Sequence, residues 1–181
     1  MLRIEIPLQK LFDEEHKRLV TVPAVALEFE HSLVSLSKWE SEFKQAFLNE
    51  KRQKTSEMTR RYLELMLLTP VEDFTVLSRL TPSHAKQIGE YINDRQSATY
   101  LPKMPGSSSS REIVTSELIY YWMTILQIPW SAETWNLNRL LTLIDLTNRK
   151  NNPQKNTNNA ESAKERYRIN EERKKKYNTS G

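Results

Sequence analysis

The residue types that run most enzymes are thinly spread along this 181-residue chain. His16, His31 and His84 stand far apart, and none lies three or four residues from a second ligand, so none begins a metal site at helical spacing. Each reads as a surface or structural histidine. The chain contains no cysteine, which removes disulfide scaffolds and thiolate metal sites and fits a reducing compartment. Its three glycines, Gly89, Gly106 and Gly181, cannot supply a phosphate-cradling loop or a dinucleotide fingerprint. The adjacent carboxylates Asp13–Glu14 and Glu72–Asp73 fall in polar segments where solvation accounts for them. No GxSxG or HExxH motif occurs. These features point away from catalysis, and no catalytic residue, cofactor or metal is assigned.

The conspicuous side chains are aromatic instead: Tyr120, Tyr121, Trp122, Trp130 and Trp135. Successive helical residues point about 100° apart, so Tyr120 and Tyr121 cannot share one buried face, and one of them is left for an interface. Trp122 and Trp135 are expected in the core. Trp135 and Arg139 lie one helical turn apart and can form a cation–π pair. Tyr121, Trp130 and Arg139 are therefore the candidate partner-binding residues.

The elements that must position them begin at Ser116–Lys150, where apolar periodicity is densest and a helical hairpin is expected to anchor the core. Leu118, Trp122 and Ile125, widened by Ile119 and Leu126, have the spacing of one buried helix face, capped by Thr115 or Ser116. Pro129 forces Ile128 out of helical dihedrals, and a second helix is expected to restart at Ser131 to Trp135, with Leu137, Leu140, Leu141 and Ile144 inward. Asn151, Asn152 and Pro153 end it.

At the other end, Leu2, Ile4 and Ile6 alternate with Arg3 and Glu5, and Val25, Leu27 and Phe29 alternate with Ala26 and Glu28. With a middle strand at 18–22 and a polar turn around 13–17, these pieces predict a small antiparallel sheet, apolar on one side. A helix then starts near Ser32 or Ser35 and carries Leu33, Leu36, Trp39 or Glu40, Phe43 and Phe47. Thr55 and Ser56 cap a helix to Leu68 with Met58, Tyr62, Leu65 and Met66 inward. A short helix over 71–80 uses Phe74 and Leu77. Thr81 followed by Pro82 opens another, packed by Ile88, Tyr91 and Ile92. Residues 94–111, rich in proline and serine, read as a surface loop whose Tyr100, Leu101 and Met104 either fold back or dock a partner.

The fold class is thus mainly α with a small N-terminal antiparallel β-sheet, in a globular domain over 1–152 followed by a polar, basic tail over 153–181. From Lys150 onward nine Lys or Arg face four Glu, so the net charge of +4 belongs to the tail and not to the body. That argues against a nucleic-acid footprint on the fold. The N-terminus lacks a continuous apolar run of signal-peptide type, and no segment has the roughly 18 apolar residues of a membrane span.

Three segments together carry a family resemblance: EFEHSLVSLSKWESEF at 28–43, YIND at 91–94, and IVTSELIYYWMTILQIPW with ETWNLNRLLTLI over 113–144. They resemble the tail assembly chaperones of long-tailed, siphovirus-like bacteriophages over most of residues 25–150. The resemblance implies a non-enzymatic helper in the cytoplasm of the infected bacterial host, absent from the mature virion. Its implied partner is the phage tape-measure protein, and a homo-oligomer is compatible with it; no membrane or nucleic-acid partner is expected. Such chaperones are often made in two lengths by frameshifting, and Lys174–Lys176 is compatible with an adenine-rich slippery run. The alternative is a structural or nucleic-acid-associated virion protein that uses the basic tail.

Overall fold

The N-terminal alternation folds into an antiparallel ribbon of four strands: β1 (Leu2–Ile6), β2 (Gln9–Asp13), β3 (Arg18–Val22) and β4 (Val25–Phe29). The computed structural model describes residues 1–13, 16–49, 51–72, 74–101, 113–151, 167–168 and 171. Strand β1 pairs with β4, placing Leu2 opposite Phe29 and Ile6 opposite Val25. Strand β2 pairs with β3, placing Gln9 opposite Val22 and Asp13 opposite Arg18. Both ladders keep one register, so they are two halves of a single long hairpin. It is interrupted at Pro7 and Pro23, which lack an N–H.

This corrects the expected three-piece sheet. Gln9–Asp13 is a strand that the alternation did not mark, the expected polar turn beginning only at Asp13, and β3 pairs with this new strand alone instead of lying in the middle. In the base ladder Ile4, Ile6, Leu27 and Phe29 are buried while Arg3 and Glu5 are exposed. The free edge of β4 is met by the chain after the second helix. There Glu30 N–H donates to the Met66 carbonyl at 2.9 Å and Leu68 N–H to the Glu28 carbonyl at 2.8 Å.

Helix α1 (Leu33–Phe43) follows directly. Ser32 caps it by accepting from Ser35 N–H, and Ser35 Oγ in turn accepts from Ser32 N–H. It stops at Lys44, whose φ of 52° is left-handed. Helix α2 (Ser56–Met66) is capped by Thr55, and α3 (Pro82–Asn93) by Thr81, with proline in its first turn as expected. Between them lies the expected short helix, of 3₁₀ type and over Phe74–Arg79; Leu77 is buried but Phe74 is 43 % exposed. Helix α4 (Ser116–Ile125) starts at the Thr115 cap. A second 3₁₀ helix, Trp130–Thr134, and α5 (Leu137–Asn151) complete the body.

Two apolar clusters result, and α1 serves both. Trp39 joins Tyr62, Met66, Leu77 and Ile88 over the β-face, while Leu33 and Leu36 pack with Ile119, Met123, Ile128, Ala132, Leu137, Leu140 and Ile144. Each buried Leu, Ile or Met among them contributes roughly 1.5–3 kcal/mol. The inward face of α4 is therefore Ser116–Ile119–Met123, not Leu118–Trp122–Ile125. Trp122 is half-buried and Ile125 points to water. The helix is apolar around most of its circumference, so periodicity alone leaves its rotation open. The fully buried tryptophan is Trp39; Trp135 is 38 % exposed, and the expectation that it is core does not hold.

The expected helix restart at Ser131 is likewise replaced by the 3₁₀ turn. Asn136 forms an extended bridge with Ser32, and Leu137 N–H donates to the His31 carbonyl at 2.7 Å. That pairing holds the backbone extended until Leu137. By contact the chain forms two units, Met1–Asp145 and Leu146–Gly181, divided within α5. Glu14, Asp73, Met104, residues 106–111, Pro153 and most of the basic tail lie outside the described residues.

Candidate partner-binding surface

A cluster of groups with acid–base character sits largely buried where the end of β4 meets α2, α3 and the start of α5. At the end of β4, Glu30 Oε1 accepts from the Tyr91 hydroxyl at 2.6 Å and from Asn136 Nδ2 at 3.3 Å, while Oε2 pairs with the Met1 ammonium at 2.7 Å. Asn136 Oδ1 accepts from Asn138 N–H at 3.0 Å, so the same side chain caps α5. His31 Nδ1 and the Tyr62 hydroxyl share a hydrogen bond of 2.5 Å. Burial lowers His31 to about 4, against the opposing pull of Glu30. Burial likewise raises both Tyr62 and Tyr91, with the Glu30 hydrogen bond adding to the rise at Tyr91. A neutral imidazole facing a protonated phenol is a stable arrangement at neutral pH.

Glu40, in the LSKWE block, is a second such joint. Its Oε1 accepts from Phe47 N–H and its Oε2 from Ser116 N–H, both at 2.7 Å. One carboxyl thus closes the turn after α1 and satisfies a first-turn donor of α4. Beside it, Trp39 Nε1 donates to the Met58 carbonyl at 2.9 Å. None of Glu30, His31, Tyr62 and Tyr91 lines the cleft of about 510 Å³ between α2 and the first 3₁₀ helix, whose walls include Arg60, Leu63 and Thr75. These groups tie the segment after β4 to α2, α3 and the start of α5. Among the described residues no group of three metal-ligating side chains occurs.

Several large apolar side chains do face solvent. On α4, Tyr121 and Ile125 are one turn apart and 60 % and 62 % exposed. Tyr120, one residue back, stacks on Trp130 with ring centroids 5.4 Å apart and donates its hydroxyl to Glu133 Oε2 at 2.9 Å. Burial together with that carboxylate pushes the Tyr120 phenol up to about 12. The stack holds Trp130 in place while leaving it 60 % exposed, at a gain of about 0.5–1.5 kcal/mol. Arg139 lies over the Trp135 ring at 4.9 Å, as their one-turn spacing predicted. Of the three candidate residues, Tyr121 and Trp130 are thus presented to solvent, and Arg139 is engaged by Trp135. In the loop, Tyr100 is exposed over Arg95 at 5.1 Å, and Leu101 is half-buried.

Sequence reasoning missed a second apolar surface, on the outer hairpin: Leu8, Phe12 and Leu19 are all more than half exposed. The signal was present, because the even-numbered alternation of β1 runs through Pro7 to Leu8 and Phe12. Reading Pro7 as an end concealed it. Among the described residues no helix is long and apolar enough to cross a membrane. No family model, curated protein or solved structure matches the chain.

Proposed function

We propose that this protein is a non-enzymatic assembly helper that transiently covers apolar surfaces of a partner and, following its resemblance, that it is a phage tail assembly chaperone acting on the tape-measure protein in the infected bacterial cytoplasm. The observation that carries this reading is the exposure of the large apolar side chains Tyr121, Ile125 and Trp130. Large exposed aromatics held by stacking are the usual anchors of protein interfaces. The buried Glu30–His31–Tyr62–Tyr91 cluster supports a scaffold role for the groups that would otherwise suggest chemistry.

Coexpression with the long reading frame of the same tail-gene cluster, followed by affinity purification, tests it. The long protein should stay soluble and copurify, and both Tyr121→Ser and Trp130→Ser should reduce recovery. Finding the protein in stoichiometric amounts in finished particles, or turnover of a small substrate, would overturn the proposal.

A further inference from the structure

The outer half of the N-terminal hairpin is an arm whose apolar face is the continuation of the core face. Because both ladders share one register, the face that carries Ile4, Ile6, Leu27 and Val25 in the base continues through Leu8, Lys10 and Phe12 on one strand and Leu19, Thr21 and Pro23 on the other. In the base this stripe is packed by Trp39 of α1, Tyr62 and Met66 of α2, and Ile88 of α3. On the arm it is bare, with Phe12 60 % and Leu19 70 % exposed. The root of the arm is held: Arg79 donates to the Pro7 and Pro23 carbonyls at 2.8 and 3.1 Å and to Gln9 Oε1 at 3.2 Å. These are contacts beside the break that the two prolines make in the ladder.

We infer that the arm is a docking platform for an amphipathic α-helix of a partner protein, about three turns long and bordered by acidic residues. Continuity argues for a helix, since helices already cover the same stripe where it enters the body. Length agrees: five paired residues span about 17 Å, which is roughly eleven helical residues. Charge selects acidic borders, because Lys10 stands exposed within the stripe between Leu8 and Phe12. Area argues against a second copy: the exposed apolar side chains offer on the order of 400 Å², so two arms face to face would bury less than the roughly 1,200 Å² of a stable dimer. The same small area suits a partner that must later be released. The inference rests on the assembly-helper reading only for whose helix is bound.

The test uses the full-length chain and a fluorescein-labelled eighteen-residue helical peptide with a leucine stripe flanked by glutamates, and its counterpart flanked by lysines. Fluorescence anisotropy should give a Kd on the order of micromolar for the glutamate peptide and at least tenfold weaker binding for the lysine peptide. Phe12→Ser with Leu19→Ser should weaken the glutamate peptide at least tenfold, with the melting transition of the body unchanged. Lys10→Glu, which leaves the apolar stripe intact, should reverse the preference between the two peptides. Binding indifferent to all these substitutions, or absence of binding, overturns the inference, as does sedimentation showing a dimer that the Leu19→Ser change dissociates. If the arm variants still copurify the tape-measure protein fully, the arm inference fails and the helper reading stands. If the peptide binds the arm but the tape-measure protein is never captured, the helper reading fails and the arm stands.

Discussion

Replacing Glu40 should cost the protein more than almost any other single polar change, although no catalytic role is assigned to it. Its two carboxyl oxygens accept from Phe47 N–H and Ser116 N–H, donors 69 residues apart in sequence, each at 2.7 Å. Glu40 itself is 6 % exposed and Ser116 is fully buried, so water cannot take over the Ser116 contact without opening the α1–α4 junction. Glu40→Ala orphans both donors. At about 1–3 kcal/mol for each buried group left unsatisfied, the expected loss is about 3 kcal/mol. For a chain of this size that is a fall of roughly 6–12 °C in Tm. Glu40→Gln keeps the shape but turns one acceptor into an NH₂ facing a donor, so about 2 kcal/mol should still be lost. Urea unfolding followed by tryptophan fluorescence, with Trp39 one residue away, provides the assay, and Glu42→Ala at an exposed ion pair with Arg61 is the control. A Glu40→Gln protein within about 0.5 kcal/mol of wild type would refute the claim that this carboxyl joins the two helices.

Three further outcomes are expected. His31 is held near 4 in the fold against about 6.5 in the unfolded chain, so the unfolded state takes up its proton first as pH falls. Stability should therefore drop between pH 6.5 and 4, by on the order of 2 kcal/mol at pH 5; His31→Gln should flatten this part of the pH–stability curve measured by thermal melting. Arg79→Met should change global stability by less than about 1 kcal/mol yet speed amide hydrogen exchange throughout β2 and β3, because it frees the root of the arm. Tyr121→Ser should leave the denaturation midpoint within experimental error, since the ring is mostly in water; a large loss would place it in the core.

The residues that decide local structure were the legible ones. Thr55, Thr81 with Pro82, and Thr115 announced three helix starts, and strict alternation announced β1 and β4. What stayed hidden depends on partners distant in sequence. The rotation of α4 is fixed by Ser116 meeting Glu40, and the extended backbone at Asn136 by its bridge to Ser32; neither leaves a periodic trace. Trp39 and Trp130 are the same residue type with opposite fates, one roofing the β-face and the other stacked on Tyr120 in solvent. Composition cannot separate them. On the candidate surface, Tyr121 was legible because Tyr120 beside it had to face elsewhere, whereas the arm was lost to a proline read as an end.

The dual service of α1 sets an order on synthesis. One flank of this helix is closed mainly by side chains encoded more than eighty positions later, from Ile119 to Ile144. At translation rates of roughly 5–20 residues per second, a nascent chain emerging from the ribosome carries Leu33 and Leu36 without those later partners for about 5–20 seconds. The interval ends only as the second half of the body emerges.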